Sequence, residues 1–405
     1  MAVKGYKQSE VGLIPENWHT AFLDSVAKRG SGHTPDKKHS EYWNGDIKWI
    51  SLADSSALDN LYISETLANV TPLGIANSSA VIHTAGTVVM SRDAGIGKSA
   101  IITDAMAVSQ HFMAWQCTPK LNNKFLYYWL QSKKPEFERI GNGSTIKTIG
   151  LDYFRNLKVP LPTPGEQRAI ATALSDVDAL LGGLDRLIAK KRDLKDATMQ
   201  QLLVAQIRLP GFEGSWKVKR LADAFTISVG KSKSAYLVGD GDFWVCDMGS
   251  VSIEGRLVVS KRTNYRGDFL ERGDLIMPKD DIGGGNIIGK VGYVDANDTY
   301  ILSDHVYCLR ALDGDSRFLA YVINSHRVNS ELRKKVIGSA QLGLGRKSVN
   351  EQEIQFPPHA EQTAIAEVLT EMDGELAVLE ERRAKTRMLK EGMMQELLTG
   401  RTRLI

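Results

Sequence analysis

The chain has 405 residues, enough for two or three domains, with 42% hydrophobic and 24% charged residues in ordinary globular proportions. Fifty-one Lys+Arg against 48 Asp+Glu give a net charge of +3, so any nucleic-acid surface must come from local clustering rather than bulk charge. Three scattered cysteines (Cys117, Cys246, Cys308) make no C-x-x-C pair, which excludes a disulfide framework and a zinc-finger spacing. No apolar run approaches the ~18 residues of a membrane span, and the opening MAVKGYKQSEVG does not read as a signal peptide. A cytoplasmic, membrane-free protein is expected.

In chain order, the first conspicuous motif is SRDAGIGKSAII (residues 91–102). Its Gly97-Lys98-Ser99 ending imitates the phosphate-binding G-x-x-x-x-G-K-[ST] loop. That loop needs a glycine where this chain has Arg92. A second imitation, KDDIGGGNIIGKVG, has Gly284, Gly289 and Lys290 in place but Val291 where a hydroxyl would hold magnesium. Each loop fails at a different mechanistic position, so nucleotide hydrolysis is not expected.

The segment from Glu166 to Leu209 is repeated, without a gap, from Glu361 to Leu404; 20 of the 44 paired positions are identical. Apolar residues at Ile170, Leu174, Val177, Leu181, Leu184 and Ile188 answer Ile365, Leu369, Met372, Leu376 and Leu379. Steps of four and three make this a helix–helix packing seam, with Ile170 to Ile188 expected to pack against Ile365 to Leu379. It weakens at Lys191 and Lys195, and again at Thr386 and Lys390, then resumes at Leu194, Leu202 and Leu203, and at Leu389, Leu397 and Leu398. Prolines just ahead mark helix starts, and ~43 residues at 1.5 Å each give about 60 Å, far beyond an ordinary core helix.

The intervening segments echo each other more loosely. Trp18 aligns with Trp216, Met90 with Met277, Arg92 with Lys279, Asp93 with Asp280, and His111 with His305. The two imitation loops are therefore equivalent turns of a duplicated domain. The expected architecture is α+β: two tandem mixed α/β domains separated by two long helices. The boundaries are residues 1–162 for the first domain, 163–208 for the first spacer helix, 209–357 for the second domain and 358–405 for the second helix.

Globular, helix, globular, helix is an order that strongly resembles the specificity subunit of type I restriction-modification systems. The resemblance rests on SEVGLIPENW, GHTPDKKHSEYWNGDIKWISLADS, SRDAGIGK, GSTIKTIGLDYFRNLKVPLP and the two EQ-x-AIA helices, and spans essentially the whole chain. The second half departs from it, carrying GKSKSAYLVGDGDFW in place of the TP…EYWNGD form. The family implies that the globular parts are target-recognition domains, that the long helices pack as an antiparallel coiled coil with pseudo-twofold symmetry, and that the chain is non-catalytic and binds a bipartite, gapped, asymmetric DNA site. Two methyltransferase subunits, and in some systems two restriction/motor subunits, would act on it, with S-adenosylmethionine on the methyltransferase and no cofactor or metal here. Methylation of a paired base requires flipping it out of the duplex, and no adenine-methylase tetrapeptide (Asn/Asp-Pro-Pro-aromatic) occurs in the chain.

Base edges are read by Arg, Lys, Asn and Gln, and phosphates are held by Lys, Arg and hydroxyls. The DNA-binding candidates in the first domain are Arg29, Ser31, Thr34, Lys37, Arg92, Lys98, Ser144, Thr145 and Lys147. In the second they are Lys231, Lys233, Lys279, Asn286, Gln341, Arg346 and Lys347. Arg92 and Lys279 have a competing reading as partners of nearby acids, Asp280 as a turn cap, and His111 and His305 as structural residues. The rival for the whole chain is a coiled-coil scaffold whose globular ends bind proteins; paired basic Gly-rich turns argue for DNA instead.

Overall fold

In a computed structural model, residues 5–141, 147–282, 284–338 and 342–404 are described. The chain divides into two compact units: residues 1–186 with 381–405, and residues 187–380. Each long helix, Pro164–Leu202 and His359–Leu397, has 39 residues and contributes one part to each unit.

The first unit is built on two sheets. Strands β1 (Ala27–Ser31), β2 (Trp43–Ile50), β3 (Val88–Ser91), β4 (Ser99–Ile102), β5 (Met106–Val108) and β6 (Phe112–Cys117) form their centres. One sheet runs β1-β6-β3-β4 with antiparallel pairing, and the other sets β2 beside β5 in parallel. Every residue of β3 and β4 is buried, Ser91 and Ser99 included, which explains why their apolar residues run consecutively rather than alternating. Helix α1 (Asn123–Ser132) covers the sheet, and the Asn122 side chain caps it by accepting from Phe125 N–H at 3.0 Å.

In the second unit, β7 (Phe225–Val229), β8 (Phe243–Cys246), β9 (Leu275–Pro278), β10 (Gly292–Tyr293), β11 (Tyr300–Leu302) and β12 (Val306–Ala311) repeat the plan. The order β7-β12-β9-β10 is antiparallel throughout, and β8 lies parallel to β11. Helix α2 (Ser316–Asn324) is capped by Asp315 accepting from Phe318 N–H at 2.9 Å.

The Glu-Gln pair that opens each long helix is buried and anchors it. In the first unit, Gln167 donates to the carbonyls of Lys120 and Pro162 and accepts from Asn122 N–H. In the second, Gln362 donates to Pro357 O and accepts from Asp315 N–H. Glu166 takes the Trp18 indole N–H at 2.9 Å and a forked contact from Arg403. Glu361 does the same with Trp216 and Arg208.

These anchors revise the expected pairing of the seams. Ile170 and Leu174 cluster with Leu397 and Leu398 in the core of the first unit, and Ile365 and Leu369 with Leu202 and Leu203 in the second. Within each unit the start of one helix therefore lies against the end of the other, an antiparallel arrangement. The early seam of one helix meets the resumed seam of its partner rather than the partner's own early seam. Leu184, Ile188 and Leu376 are also buried, Val177, Leu181, Met372 and Leu379 are half-buried, and Leu194 and Leu389, expected in the resumed seam, are instead exposed. Lys195 and Lys390, which interrupt the seams, meet Asp373 and Asp178, each at 2.6 Å. Those aspartates also accept from the hydroxyls of Tyr321 and Tyr128. Both helices stop short of the expected ends, at Leu202 and Leu397, where Ala205 and Gly400 take positive φ.

Candidate nucleic-acid interface

The motif that imitates a phosphate loop is a β-hairpin turn in the first unit. Ser91 N–H donates to Lys98 O, Gly97 N–H to Ser91 O, and Lys98 N–H to Gly95 O. Gly95 and Gly97 both have positive φ, a conformation that glycine adopts without steric cost. These bonds turn the loop's own N–H groups inward. The lysine is also turned inward, since Lys98 Nζ donates to Ser55 O at 3.1 Å. In the second unit Lys290 Nζ donates to Asn324 O at 2.9 Å, and burial depresses its pKa. Lys98 and Lys290 are therefore clamps that tie the turn to the fold.

What the turn does present is its first two residues. Arg92 N–H donates to His111 O, and Ile149 N–H donates to Arg92 O. Three segments thus meet at this point: the turn, the Ser109-Gln110-His111 connection between β5 and β6, and the last loop before the long helix. Asp93 sits between a histidine and an arginine. His111 Nδ1 lies 2.5 Å from its Oδ2 and Arg92 Nε 3.6 Å from its Oδ1. A carboxylate can only accept, so Nδ1 carries the hydrogen.

The second unit repeats the arrangement by itself. Lys279 N–H donates to His305 O, and Leu344 N–H donates to Lys279 O. Asp280 Oδ2 meets Lys279 Nζ at 2.6 Å and His305 Nδ1 at 2.7 Å. Burial acts to raise the Asp280 pKa, but hydrogen bonds from Lys279 and His305 outweigh it and hold the carboxyl below its usual range. The turn continues as Asp280–Asp281 paired antiparallel with Leu342–Gly343 of the last loop.

A hydroxyl from the first loop completes each cluster. Thr34 Oγ1 donates to Gln110 Oε1 at 2.6 Å, and Ser232 lies near enough to Asp304 to help hold its carboxyl below its usual range. Gly32 and Gly230 let that loop cross the end of the neighbouring strand. A Cβ would stand 1.6 Å from Val108 O at Gly32 and 2.7 Å from Leu302 O at Gly230.

Of the sequence-based candidates, the structure brings Thr34 and Arg92 together in the first unit and sets Lys279 in the same place in the second. Ser31 lies at the end of β1, its hydroxyl donating to Phe112 O. Lys37, Lys147, Lys231, Asn286 and Lys347 are exposed. Four others are turned to structural tasks. Arg29 pairs with Asp24 at 3.1 Å and reaches Leu151 O, whereas Arg346 reaches Ile227 O. Arg29 and Ile227 occupy equivalent positions, as do Leu151 and Arg346, so one bridge is built from opposite sides. Lys98 is the clamp described above. Lys233 is 2% exposed, packs over Tyr265 and pairs with Asp268 at 2.8 Å, which corrects its assignment to a DNA surface. Ser144, Thr145 and Gln341 lie outside the described residues.

Sequence reasoning missed the joint role of Asp93, Asp280, His111 and His305. Their signal was present in the equivalence of both positions across the halves, but each residue was weighed singly. The competing reading of Arg92 and Lys279 as partners of acids holds: both face an aspartate. Among the described residues no group of His, Cys, Asp and Glu could hold a metal, and no helix is long and apolar enough to cross a membrane.

Comparison with known proteins agrees with this duplicated plan. The family model described as "Type I restriction modification DNA specificity domain" matches residues 15–189 and again 213–386. The MjaVIII specificity subunit of Methanocaldococcus jannaschii is 23% identical over 426 residues, covering 99% of this chain and 96% of that one. The MjaIX specificity subunit of the same organism is 30% identical over 178 residues, but that match spans 44% of this chain and only 41% of the relative. The crystal structure of a type I S subunit from M. genitalium shares the fold with a TM-score of 0.62 at 17% identity, covering 94% of this chain and 96% of that one. With each globular half matched separately, the chain belongs to the type I restriction-modification DNA specificity family, and is a recognition subunit, not an enzyme.

Proposed function

We propose that this subunit binds a bipartite, asymmetric DNA sequence with an unread gap, one half-site per globular domain. The observation that supports this is the repetition of one cluster on two sites that share a frame but differ in their outward residues. Equivalent frames imply equivalent docking on the duplex, and different side chains imply different bases. A dimeric DNA reader spaces half-sites by about 34 Å or a multiple of it. Here the duplication puts two readers in one chain, where a dimeric reader needs two copies.

The subunit is further proposed to position two adenine methyltransferase subunits, which carry S-adenosylmethionine, and in a restricting system two motor subunits. The relatives named as type I specificity subunits support this reading. Base flipping and methyl transfer then lie wholly on the partners. The test is a map of methylated bases in host DNA, by single-molecule sequencing, with and without this gene and with partner subunits expressed. Loss of adenine methylation at one gapped, asymmetric motif is expected; an unchanged map would refute the proposal.

A further inference from the structure

The two clusters are alike in their frame and unlike at one outward position. An aspartate (Asp93 or Asp280), a histidine (His111 or His305) and a first-loop hydroxyl (Thr34 or Ser232) recur in both units. The residue held between the hydroxyl and the histidine does not. It is Gln110 in the first unit and Asp304 in the second.

Each is held in a defined orientation. The Gln110 amide has its oxygen accepting from Thr34 Oγ1 at 2.6 Å and its nitrogen 3.4 Å from His111 Nε2. An amide nitrogen can only donate, so in this contact His111 Nε2 accepts from it. This leaves one amide hydrogen and one oxygen lone pair unused. In the second unit Ser303 Oγ donates to Asp304 Oδ1 at 2.9 Å, and His305 Nε2 lies 3.5 Å from Oδ2. Burial would raise the Asp304 pKa, but the Ser303 hydrogen bond and the His305 charge outweigh it, so the group is ionised at neutral pH. Gln110 is exposed and Asp304 is one-third exposed, so both can reach a ligand.

A carboxylate on a DNA-facing surface is repelled by phosphates. Its favourable partners there are amino groups on base edges, of which cytosine N4 is the usual one. A glutamine offers one donor and one acceptor side by side, the pattern complementary to adenine N6 and N7.

We propose that Gln110 and Asp304 are specificity-determining residues at equivalent positions, each reading one base pair of its own half-site. Gln110 favours adenine, and Asp304 favours an amino-bearing base, cytosine first. The aspartate–histidine pairs and the first-loop hydroxyls are positioning residues that hold the readers in place. This inference rests on the half-site reading given above.

The test uses the whole chain with its methyltransferase partners and near-isosteric changes, Gln110→Glu and Asp304→Asn. Methylated motifs are mapped by single-molecule sequencing for wild type and each variant. A gapped wild-type motif is required; a continuous one overturns the half-site reading and the present proposal with it. Given a gapped motif, each variant should shift the relative use of bases at a single column by roughly tenfold. The columns should lie in opposite halves, with the gap unchanged. Unaltered base preferences at reduced activity would reduce both residues to structural support and overturn the proposal. If a variant abolishes methylation, binding of the purified complex to oligonucleotides permuted one base at a time decides. Loss confined to one column supports base reading, and a uniform loss refutes it.

Discussion

Arg403 closes a forked ion pair on Glu166, with Nη2 2.9 Å from Oε2, while the carboxylate is 1% exposed and also accepts the Trp18 indole N–H. The end of the chain described here is thereby fastened to the start of the first long helix. Arg208 makes the same fork on Glu361 beside Trp216. Removing one partner of a buried pair strands the other charge without compensation, at a cost of about 3–5 kcal/mol. Arg403→Ala should destabilise the first unit by that order, and Arg208→Ala the second. Unit-resolved hydrogen exchange checks this: protection should fall in residues 1–186 for one variant and in 187–380 for the other. Loss spread equally over both units would contradict it.

Ala205 and Gly400 occupy equivalent sites after the two long helices, with φ of 59° and 71°. An alanine in the left-handed region is strained by roughly 1–2 kcal/mol. Ala205→Gly should relieve that strain, offset in part by the greater freedom of the unfolded chain, and raise the melting temperature slightly. Gly400→Ala should act oppositely and more strongly, because its Cβ would stand 2.5 Å from Pro15 Cγ and 3.1 Å from Trp18 Cη2. Calorimetry on both variants gives the signs directly.

Much of this fold was legible in the sequence because the repeat is gapless where packing is strictest. The Glu-Gln pair, the seam leucines and the terminal arginine recur at one offset since each fills a buried place in a shared anchor. What pattern could not show is which seam segment meets which. Periodicity marks an apolar face but says nothing of the partner on it, so the seam from Ile170 to Ile188 was set against Ile365 to Leu379, whereas Ile170 clusters with Leu397 and Leu398. The site was less legible for a related reason. Lys98, Lys233 and Arg346 have the charge of DNA contacts, but their direction is set by carbonyls and carboxylates tens to hundreds of residues away. Asp93 and His111 lie 18 apart in sequence and meet only because β3 and β6 pair, placing Arg92 N–H on His111 O.

Gly32 offers a test of how the first loop is held. Its absent Cβ is what allows passage over Val108 O, and from there Thr34 reaches Gln110. Gly32→Ala should push the loop outward and break the Thr34–Gln110 hydrogen bond. Specific DNA binding should then fall while nonspecific binding, which is dominated by phosphates, changes little. Competition assays with specific and scrambled duplexes distinguish the two; an unchanged specificity ratio would refute the role given to the glycine.

The Asp280 carboxyl makes the second cluster sensitive to acid. Its folded pKa lies below the ordinary value of 3.8, because hydrogen bonds from Lys279 and His305 overcome the burial that would raise it. A group with a depressed folded pKa stabilises the native state fully above its unfolded pKa and loses that contribution as pH falls through the lower folded value. Wild type should therefore exceed Asp280→Asn in stability at neutral pH, with the gap closing below about pH 4. Urea unfolding of both proteins across this range measures it, and a gap that widens in acid would reverse the sign.

Lys347 separates attraction to the duplex from reading of it. Its side chain is 86% exposed and reaches Glu351 only at 3.9 Å, so nothing in the fold depends on it. It lies in the short helix that follows the last loop, three residues beyond Leu344, whose N–H holds the Lys279 carbonyl. Under the proposed function Lys347 is a phosphate contact, which raises affinity without choosing bases. Lys347→Ala should weaken binding to every sequence alike and flatten the dependence of log K on log salt by about one unit. The methylated motif should stay the same. Titrations of the purified complex at several salt concentrations, run beside the motif map, give both readouts. A changed motif would move Lys347 among the base readers, whereas an unchanged salt slope would remove it from the interface altogether.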